Sequence, residues 1–312
     1  MRDALVGCTG FVGSNLMAQH SFQGSYNSKS IHKAFGTCPD TLYYAGVPSE
    51  MFTANNVPEA DAERVRRAMD NISKIHAHRV VLISTVAVYP TPKMVDEDTC
   101  PDMSKLTAYG RNRFALEQWV EENCSEYLIV RLPAIYGLNQ KKNFIYDYIH
   151  RIPALLKDSK FAELAEEAPI LGEYYSDRGD GFFSCRNLEP EERTLLKDTF
   201  NKLGFTALNF TDSRSVYQFY PLHRLWDDIS LASSKGIKKL NLVTPPVSVA
   251  EVFEMLESRP FKNELPKQPF DYDVRTSSDW LFGREDGYIM SREEELKEVE
   301  KFVLAANCEG KK

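Results

Sequence analysis

The first half of the chain alternates short apolar runs with amphipathic stretches, beginning at residue 3. "DALVG" reads as a strand and "SNLMAQH" as a short helix; "GSYNS" is a weak second strand and "TLYYAG" a further one. In "PEADAERVRRAMDNISKI", Val65, Met69, Ile72 and Ile75 recur at helical spacing, which predicts a helix laid on a sheet. "RVVLIST" is apolar without alternation, as a strand covered on both faces must be. The next helix is "AYGRNRFALEQWVEEN", with Phe114, Leu116, Trp119 and Val120 on its apolar side, and "YLIVRLPAIYG" is another buried strand with its exit. Strand–helix alternation of this kind predicts an α/β fold, a parallel sheet with helices on both faces.

Beyond about residue 140 the rhythm changes. Polar helices and a loop region, "GEYYSDRGDGFFSCRN", precede the helix "PEERTLLKDTFNKLG", where Pro190 near the start and Gly204 past the end mark the two helix termini. "SVYQFYPL", "RLWDDISLASSKG", "KKLNLV" and "SVAEVFEML" resume the alternation. Ser291 and Glu294 then form a capping box for a last helix, "SREEELKEVEKFV". The expected organisation is a nucleotide-type domain over 1–140, completed by part of 213–250. A smaller, irregular α+β region over 141–212 and 251–312 would receive the substrate.

Composition narrows the class. The chain has 312 residues, 43% apolar and 27% charged, with a formal net charge of −7, a balance that argues against a dedicated nucleic-acid binder. No apolar run is long enough to span a bilayer, and "DALVG" follows the first residues without a signal-peptide pattern. Six cysteines without a C-x-x-C pair read as free thiols in a reducing compartment, and no histidine has the neighbours a metal needs. A cytoplasmic protein without a metal site, a membrane anchor or a nucleic-acid partner is the expectation.

Candidate chemistry begins at "VGCTGFVGSNL", where Gly7, Gly10 and Gly13 stand between a strand and a helix. Glycines let backbone N–H groups approach a diphosphate, and a helix N-terminus favours its charge. Thr9, Phe11 and Val12 complete that loop as dinucleotide-binding candidates. NAD binders carry an acid after the second strand. Here the stretch holds Asn27, Ser28 and Lys29, donors suited to a 2′-phosphate, so NADP(H) is slightly favoured among the NAD(P) cofactors, with a plain surface lysine as the competing account. Ser84 and Thr85 end a buried strand at the edge where open α/β sheets bind ligands, and Tyr109 opens the helix about 24 residues on. A hydroxyl and a phenol converging on one carbonyl oxygen is the geometry that hydride transfer needs.

At these residues the sequence resembles the extended short-chain dehydrogenase/reductase family of sugar-nucleotide epimerases, dehydratases and reductases. "GCTGFVG" is similar to that family's glycine loop, "YYAG" (Ala45, Gly46) to its adenine-side segment, and "STVAVY" to its active-site strand. "VDEDTCPDMSKLTAYG" is similar to its approach to the catalytic tyrosine, "RLPAIYGLNQKKNFI" to its nicotinamide-side and substrate segment, and "SVAEVF" to a C-terminal marker. The resemblance implies a Rossmann-type doubly wound sheet, with Thr85 binding the reacting oxygen and Tyr109 as general acid/base. It also implies Pro133 near the nicotinamide, Ser84 among the cofactor-binding residues, Asn143 facing a nucleotide sugar, and a homodimer through the helices flanking the tyrosine. Where the family has lysine four residues after the tyrosine, this chain has Arg113. One helical turn on, that arginine lies on the same face as Tyr109, supplies a permanent cation to favour tyrosinate, and carries donors for ribose hydroxyls, but has no labile proton to relay.

The family's 4,6-dehydratases have Asp-Glu after the active-site threonine, and Val86 and Ala87 stand there instead. A keto-sugar reductase or an epimerase is therefore expected over a dehydratase, with a non-catalytic NADP(H)-binding sensor or scaffold as the alternative. Arg214, like Lys141 and Lys142, is a candidate for a substrate diphosphate, against a solvated basic patch.

Overall fold

The computed structural model describes residues 2–309. The chain divides into two compact units. The first comprises the chain up to Gln140, Val216–Val247 and Asp271–Glu295; the second comprises Lys141–Ser215, Ser248–Phe270 and the chain from Leu296 on.

In the first unit six parallel strands form one sheet: β1 (Asp3–Val6), β2 (Gly24–Tyr26), β3 (Thr41–Tyr44), β4 (Arg79–Thr85), β5 (Glu126–Leu132) and β6 (Lys239–Asn241). Their spatial order is β6-β5-β4-β3-β1-β2. The chain leaves β1 toward β2, then returns to the other side of β1 for β3 and everything after it. That reversal opens a crevice at the carboxyl end of β1, the place where such sheets bind ligands.

Strand alternation sorts the side chains onto two cores. Leu5, Val81, Leu128 and Val130 pack on one face with Leu16 of helix α1 (Phe11–Gln19) and with Leu225 and Ile229. Ala4, Val6, Leu42, Val80, Leu82 and Ile129 pack on the other. That second face is covered by α3 (Pro58–Ile75), through Val65, Ala68, Ile72 and Ile75, and by α4 (Ala108–Asn123), through Leu116 and Val120. The sheet is thus doubly wound. A six-residue helix, α2 (Met51–Asn56), precedes α3 and has no counterpart in the sequence reading.

Residues 251–312 were expected to belong whole to the substrate region, and here the structure differs. Asp271–Glu295 clusters with the first unit, because strand Asp273–Val274 pairs with Lys93–Val95. Val274 and Tyr288 also bury themselves with Val86, Val88, Leu106 and Phe114.

The second unit has its own core, formed by Ile152, Leu156, Leu164, Leu171, Tyr174, Tyr175, Leu196 and Phe200. The stretch read as a loop is a β-hairpin: Tyr175–Asp177 pairs antiparallel with Phe182–Cys185, which also pairs with Leu155–Lys157. Gly179 and Gly181 take positive φ in its turn, and Asp177 accepts from the Gly179 N–H. The helix that follows, Pro190–Lys202, has Pro190 in its first turn and Gly204 at φ +66° beyond its end.

No helix among the described residues is long and apolar enough to cross a membrane. The cysteines at 8, 38, 100, 124 and 185 are free thiols, and the side chain of Cys308 lies outside the described residues.

Candidate active site

The glycine loop closes the carboxyl end of β1. The N–H groups of Gly7 and Cys8 both donate to the Tyr26 carbonyl, which ties the loop to β2. Gly7 has φ +92°, and a Cβ there would lie 2.4 Å from the Ala45 carbonyl oxygen. A Cβ on Gly13 would lie 2.1 Å from the Gly7 oxygen. Both glycines therefore let backbone meet backbone, and Ala45 and Gly46 at the end of β3 form the opposite wall. Gly10 differs: its φ of −78° suits any residue, and a Cβ would come 3.2 Å from one carbonyl oxygen. It is exposed at the mouth of α1, where a bare backbone leaves the helix end open. The first intrahelical bond runs from Ser14 N–H to Gly10 C=O, so the N–H groups of Phe11, Val12 and Gly13 fall among those that a helix leaves for an outside acceptor. A diphosphate fits these donors.

At the end of β2 the Asn27 carboxamide oxygen accepts from the Lys29 and Ser30 N–H groups, folding a tight turn with Ser28 and Lys29 exposed. No carboxylate stands in that turn.

Two strands away, roughly 10 Å across the sheet, β4 ends in Thr85. Its hydroxyl oxygen accepts from the Ala87 N–H. Alternation turns Ser84 the other way, onto the helix-covered face of Val80 and Leu82. There its hydroxyl donates to the buried carboxylate of Glu117 on α4. Ser84, expected among the cofactor-binding residues, is thus turned by the strand's own pleat onto Glu117 and plays a structural part.

Tyr109 stands in the first turn of α4, which Thr107 caps by accepting from the Gly110 N–H. The Tyr109 N–H donates to Asn55 of α2. Gly110 sets the approach to β4, since a Cβ there would lie 2.3 Å from the Ala87 carbonyl oxygen. Close contact of helix start and strand end brings the Tyr109 side chain within electrostatic reach of both Thr85 and Arg113. The guanidinium carbon of Arg113 lies 4.5 Å from the centroid of the phenol ring.

Arg113 itself is buried and forked onto Asp61 of α3, with Nη1–Oδ2 at 3.0 Å and Nη2–Oδ1 at 3.1 Å. Nη2 also donates to the Pro48 carbonyl at 2.6 Å. This changes two expectations. The fork that was to reach ribose hydroxyls is taken up by Asp61. The phenol, expected to be acidified, lies instead above the usual tyrosine value: burial raises it most, Arg113 lowers it, the Asp61 charge raises it and Thr85 lowers it.

Beneath the site, Glu117 receives Arg131 in a buried ion pair at 2.7 Å, and Arg131 Nη1 donates to the Tyr89 hydroxyl at 2.5 Å. Pro133 follows β5 and is half-buried. In the second unit, Asn143 caps helix α5 (Phe144–His150) by accepting from the Tyr146 N–H. Arg214 is not held open for a substrate: it is clasped by Asp212 through Nε at 3.0 Å and Nη2 at 2.7 Å, and it also reaches Glu264. That clasp holds the Asp212 carboxyl well below the usual range, through the Arg214 hydrogen bond first. Tyr217 is half-buried and stacked on Tyr272, whereas Phe219 and Tyr220 are core residues.

Asp61, Asn55, Gly110, Glu117 and Arg131 escaped the sequence reading. An arginine predicted on a buried helix face requires a buried acid, and that requirement was the available signal for Asp61. Among the described residues no cluster of three or more His, Cys, Asp or Glu side chains could hold a metal.

Residues 22–173 match the model of the NAD dependent epimerase/dehydratase family. No curated protein matches the sequence. Similar solved structures include UDP-glucose 4-epimerase with UDP-glucose from Thermotoga maritima, at 14% identity and TM-score 0.64, covering 98% of this chain and 99% of that one. Another is RMD from Pseudomonas aeruginosa complexed with NADPH, at 14% identity, TM-score 0.62 and the same coverage. A third is dTDP-4-dehydrorhamnose reductase from Bacillus anthracis in complex with NADP, at 16% identity and TM-score 0.63, covering 97% and 98%. At these identities the likeness speaks for the fold alone, a Rossmann-type parallel sheet flanked by helices. The stretch that matches the NAD dependent epimerase/dehydratase model, residues 22–173, carries both Thr85 and Tyr109.

Proposed function

We propose that the protein is an NAD(P)-dependent oxidoreductase or epimerase of a nucleotide-activated sugar, with Tyr109 as general acid/base and Thr85 binding the reacting oxygen. The observation that carries this reading is the convergence of the Thr85 hydroxyl and the Tyr109 phenol, two strands from a glycine loop with open helix N–H groups. The fold's neighbours include proteins solved with UDP-glucose, NADPH and NADP. A bound nicotinamide would exchange hydride with the sugar carbon. The protein's part is to hold the sugar oxygen between Thr85 and Tyr109 and to move a proton at the phenol oxygen.

Val86 and Ala87 offer no acid for eliminating water, so reduction or epimerisation is favoured over 4,6-dehydration. NADP(H) is favoured over NAD because the turn after β2 exposes Lys29 and carries no carboxylate to meet ribose hydroxyls.

The test is turnover of a panel of nucleotide sugars and their 4-keto forms with each reduced and oxidised nicotinamide. Tyr109→Phe is expected to lower kcat by roughly 10²–10⁴-fold with cofactor binding retained. Full activity in Tyr109→Phe, or cofactor binding with no turnover of any member, would overturn the catalytic reading and favour a sensor. In the same assay Lys29→Ala is expected to weaken NADPH binding about tenfold and to leave NADH binding unchanged.

A further inference from the structure

Glu59 and Asp61 both lie in the first turn of α3, where acids suit the helix dipole. Glu59 is exposed, as such residues ordinarily are, but Asp61 is 2% exposed. Its carboxylate takes three side-chain N–H donors from α4: Nη1 and Nη2 of Arg113, and Nδ2 of Asn112 at 2.8 Å. Two consequences follow. The guanidinium, also held by the Pro48 carbonyl, cannot swing toward a ligand and stays over the face of the Tyr109 ring. And the cation beside the phenol comes with an anion attached, which opposes part of its pull toward tyrosinate, while burial raises the phenol most.

The groups facing Tyr109 are Arg113 and, through it, Asp61, then Thr85 at the end of β4, and Tyr272 from the Asp271–Glu295 segment. Tyr272 is itself pushed upward, by burial first and then by Tyr109. Two neutral phenols therefore lie beside one internally neutralised ion pair. A residue that begins by pulling a proton from an alcohol must be phenolate at working pH; one that gives a proton to a carbonyl must be phenol.

We propose that Asp61 is a positioning residue of this site: by clamping Arg113 in a buried, neutral pair it holds Tyr109 as the protonated acid, and so fits the site to reduce a keto group on its substrate. The inference rests on Tyr109 being the general acid/base. In the step, the carbonyl carbon takes hydride from a reduced nicotinamide and the C=O π pair moves to oxygen. That oxygen takes the proton from Tyr109, leaving an alcohol, an oxidised nicotinamide and a phenolate that recovers its proton from solvent.

The probe is the ultraviolet absorbance of phenolate during a pH titration of the full chain, wild type minus Tyr109→Phe, with folding followed by circular dichroism. Tyr109 is expected to ionise above the usual value of about 10; a phenol still protonated when the chain unfolds supports the same conclusion. Asp61→Asn leaves the arginine's charge unmatched and is expected to raise the acid constant of Tyr109 about tenfold or more. The alkaline limb of the pH–rate profile for carbonyl reduction should move with it, and Asp61→Glu should restore both. Ionisation of wild-type Tyr109 at or below the usual value overturns the proposal, and needs no variant of Asp61 to fold. So does a folded Asp61→Asn with an unmoved titration. A titration as expected with alcohol oxidation faster than carbonyl reduction at neutral pH overturns the reductive assignment alone. Full activity in Tyr109→Phe removes instead the reading on which the inference rests.

Discussion

At the scale of single residues the site depends on a missing atom as much as on those present. Gly110 has no unusual backbone demand, yet a methyl group there would sit 2.3 Å from the Ala87 carbonyl oxygen. That oxygen belongs to backbone and cannot rotate away, so Gly110→Ala must lever the start of α4 off the end of β4. The expected cost is about 1–3 kcal/mol of stability, read as a lower urea midpoint. A loss of kcat should exceed what that destabilisation explains, because Tyr109 moves with the helix. Unchanged midpoint and kcat would mean that the two segments are not held in this contact. The tyrosine was legible in the sequence through its order after a glycine loop and a Ser-Thr strand end. What the glycine next to it does was not, because close approach depends on a partner far away in the chain. Arg113 teaches the same lesson from the other side: its identity and helical face were readable, but its electrostatic meaning was set by Asp61, 52 residues earlier.

At the scale of elements, α4 is fastened to the sheet by charge as well as by apolar contact. Glu117 and Arg131 are almost wholly buried, joined by Nη2–Oε2 at 2.7 Å and Nε contacts at 3.1 Å to both carboxylate oxygens. Ser84 donates to the same carboxylate, and Tyr89 accepts from the arginine. This network ties together the strand that ends in Thr85 and the helix whose first turn carries Tyr109. Arg131→Met strands the Glu117 carboxylate in the core and is expected to cost roughly 3–5 kcal/mol. Adding Glu117→Leu removes the orphaned charge and should recover most of that loss, which a double-mutant cycle in urea measures. Additive losses would show that the pair does not act as a unit. Catalysis in the double variant should fall even where stability returns, since apolar packing holds the helix without fixing its rotation. Hydrophobic periodicity made the helix and both strands legible; the pair was hidden, because an arginine within "YLIVRL" reads as the end of a strand rather than its anchor.

At the scale of the whole molecule, the parallel sheet was legible because strands buried on both faces are apolar throughout. The return of Asp271–Glu295 to the first unit was not, because its pairing rests on a two-residue strand with no pattern to read. That return ends in a titratable group that links pH to stability. Glu295 is fully buried: one carboxyl oxygen accepts from the Phe219 N–H and the Thr244 hydroxyl, both at 2.8 Å, while the other has no hydrogen-bond partner. Burial pushes its pKa up from 4.5 to about 8, with those two donors and Arg292 opposing. Between those values the folded chain keeps a proton that the unfolded chain has released. Stability from this group is thus complete below the ordinary glutamate range and is lost as pH rises toward about 8. Each pH unit in that window carries up to about 1.4 kcal/mol. Glu295→Gln keeps a carbonyl acceptor and cannot ionise, so it should flatten the fall in stability between pH 5 and 8 and leave the acid side unchanged. Urea midpoints of the two proteins across that range decide the matter. Parallel curves would mean that Glu295 is ionised in the folded chain, with its second oxygen satisfied by a donor such as a buried water.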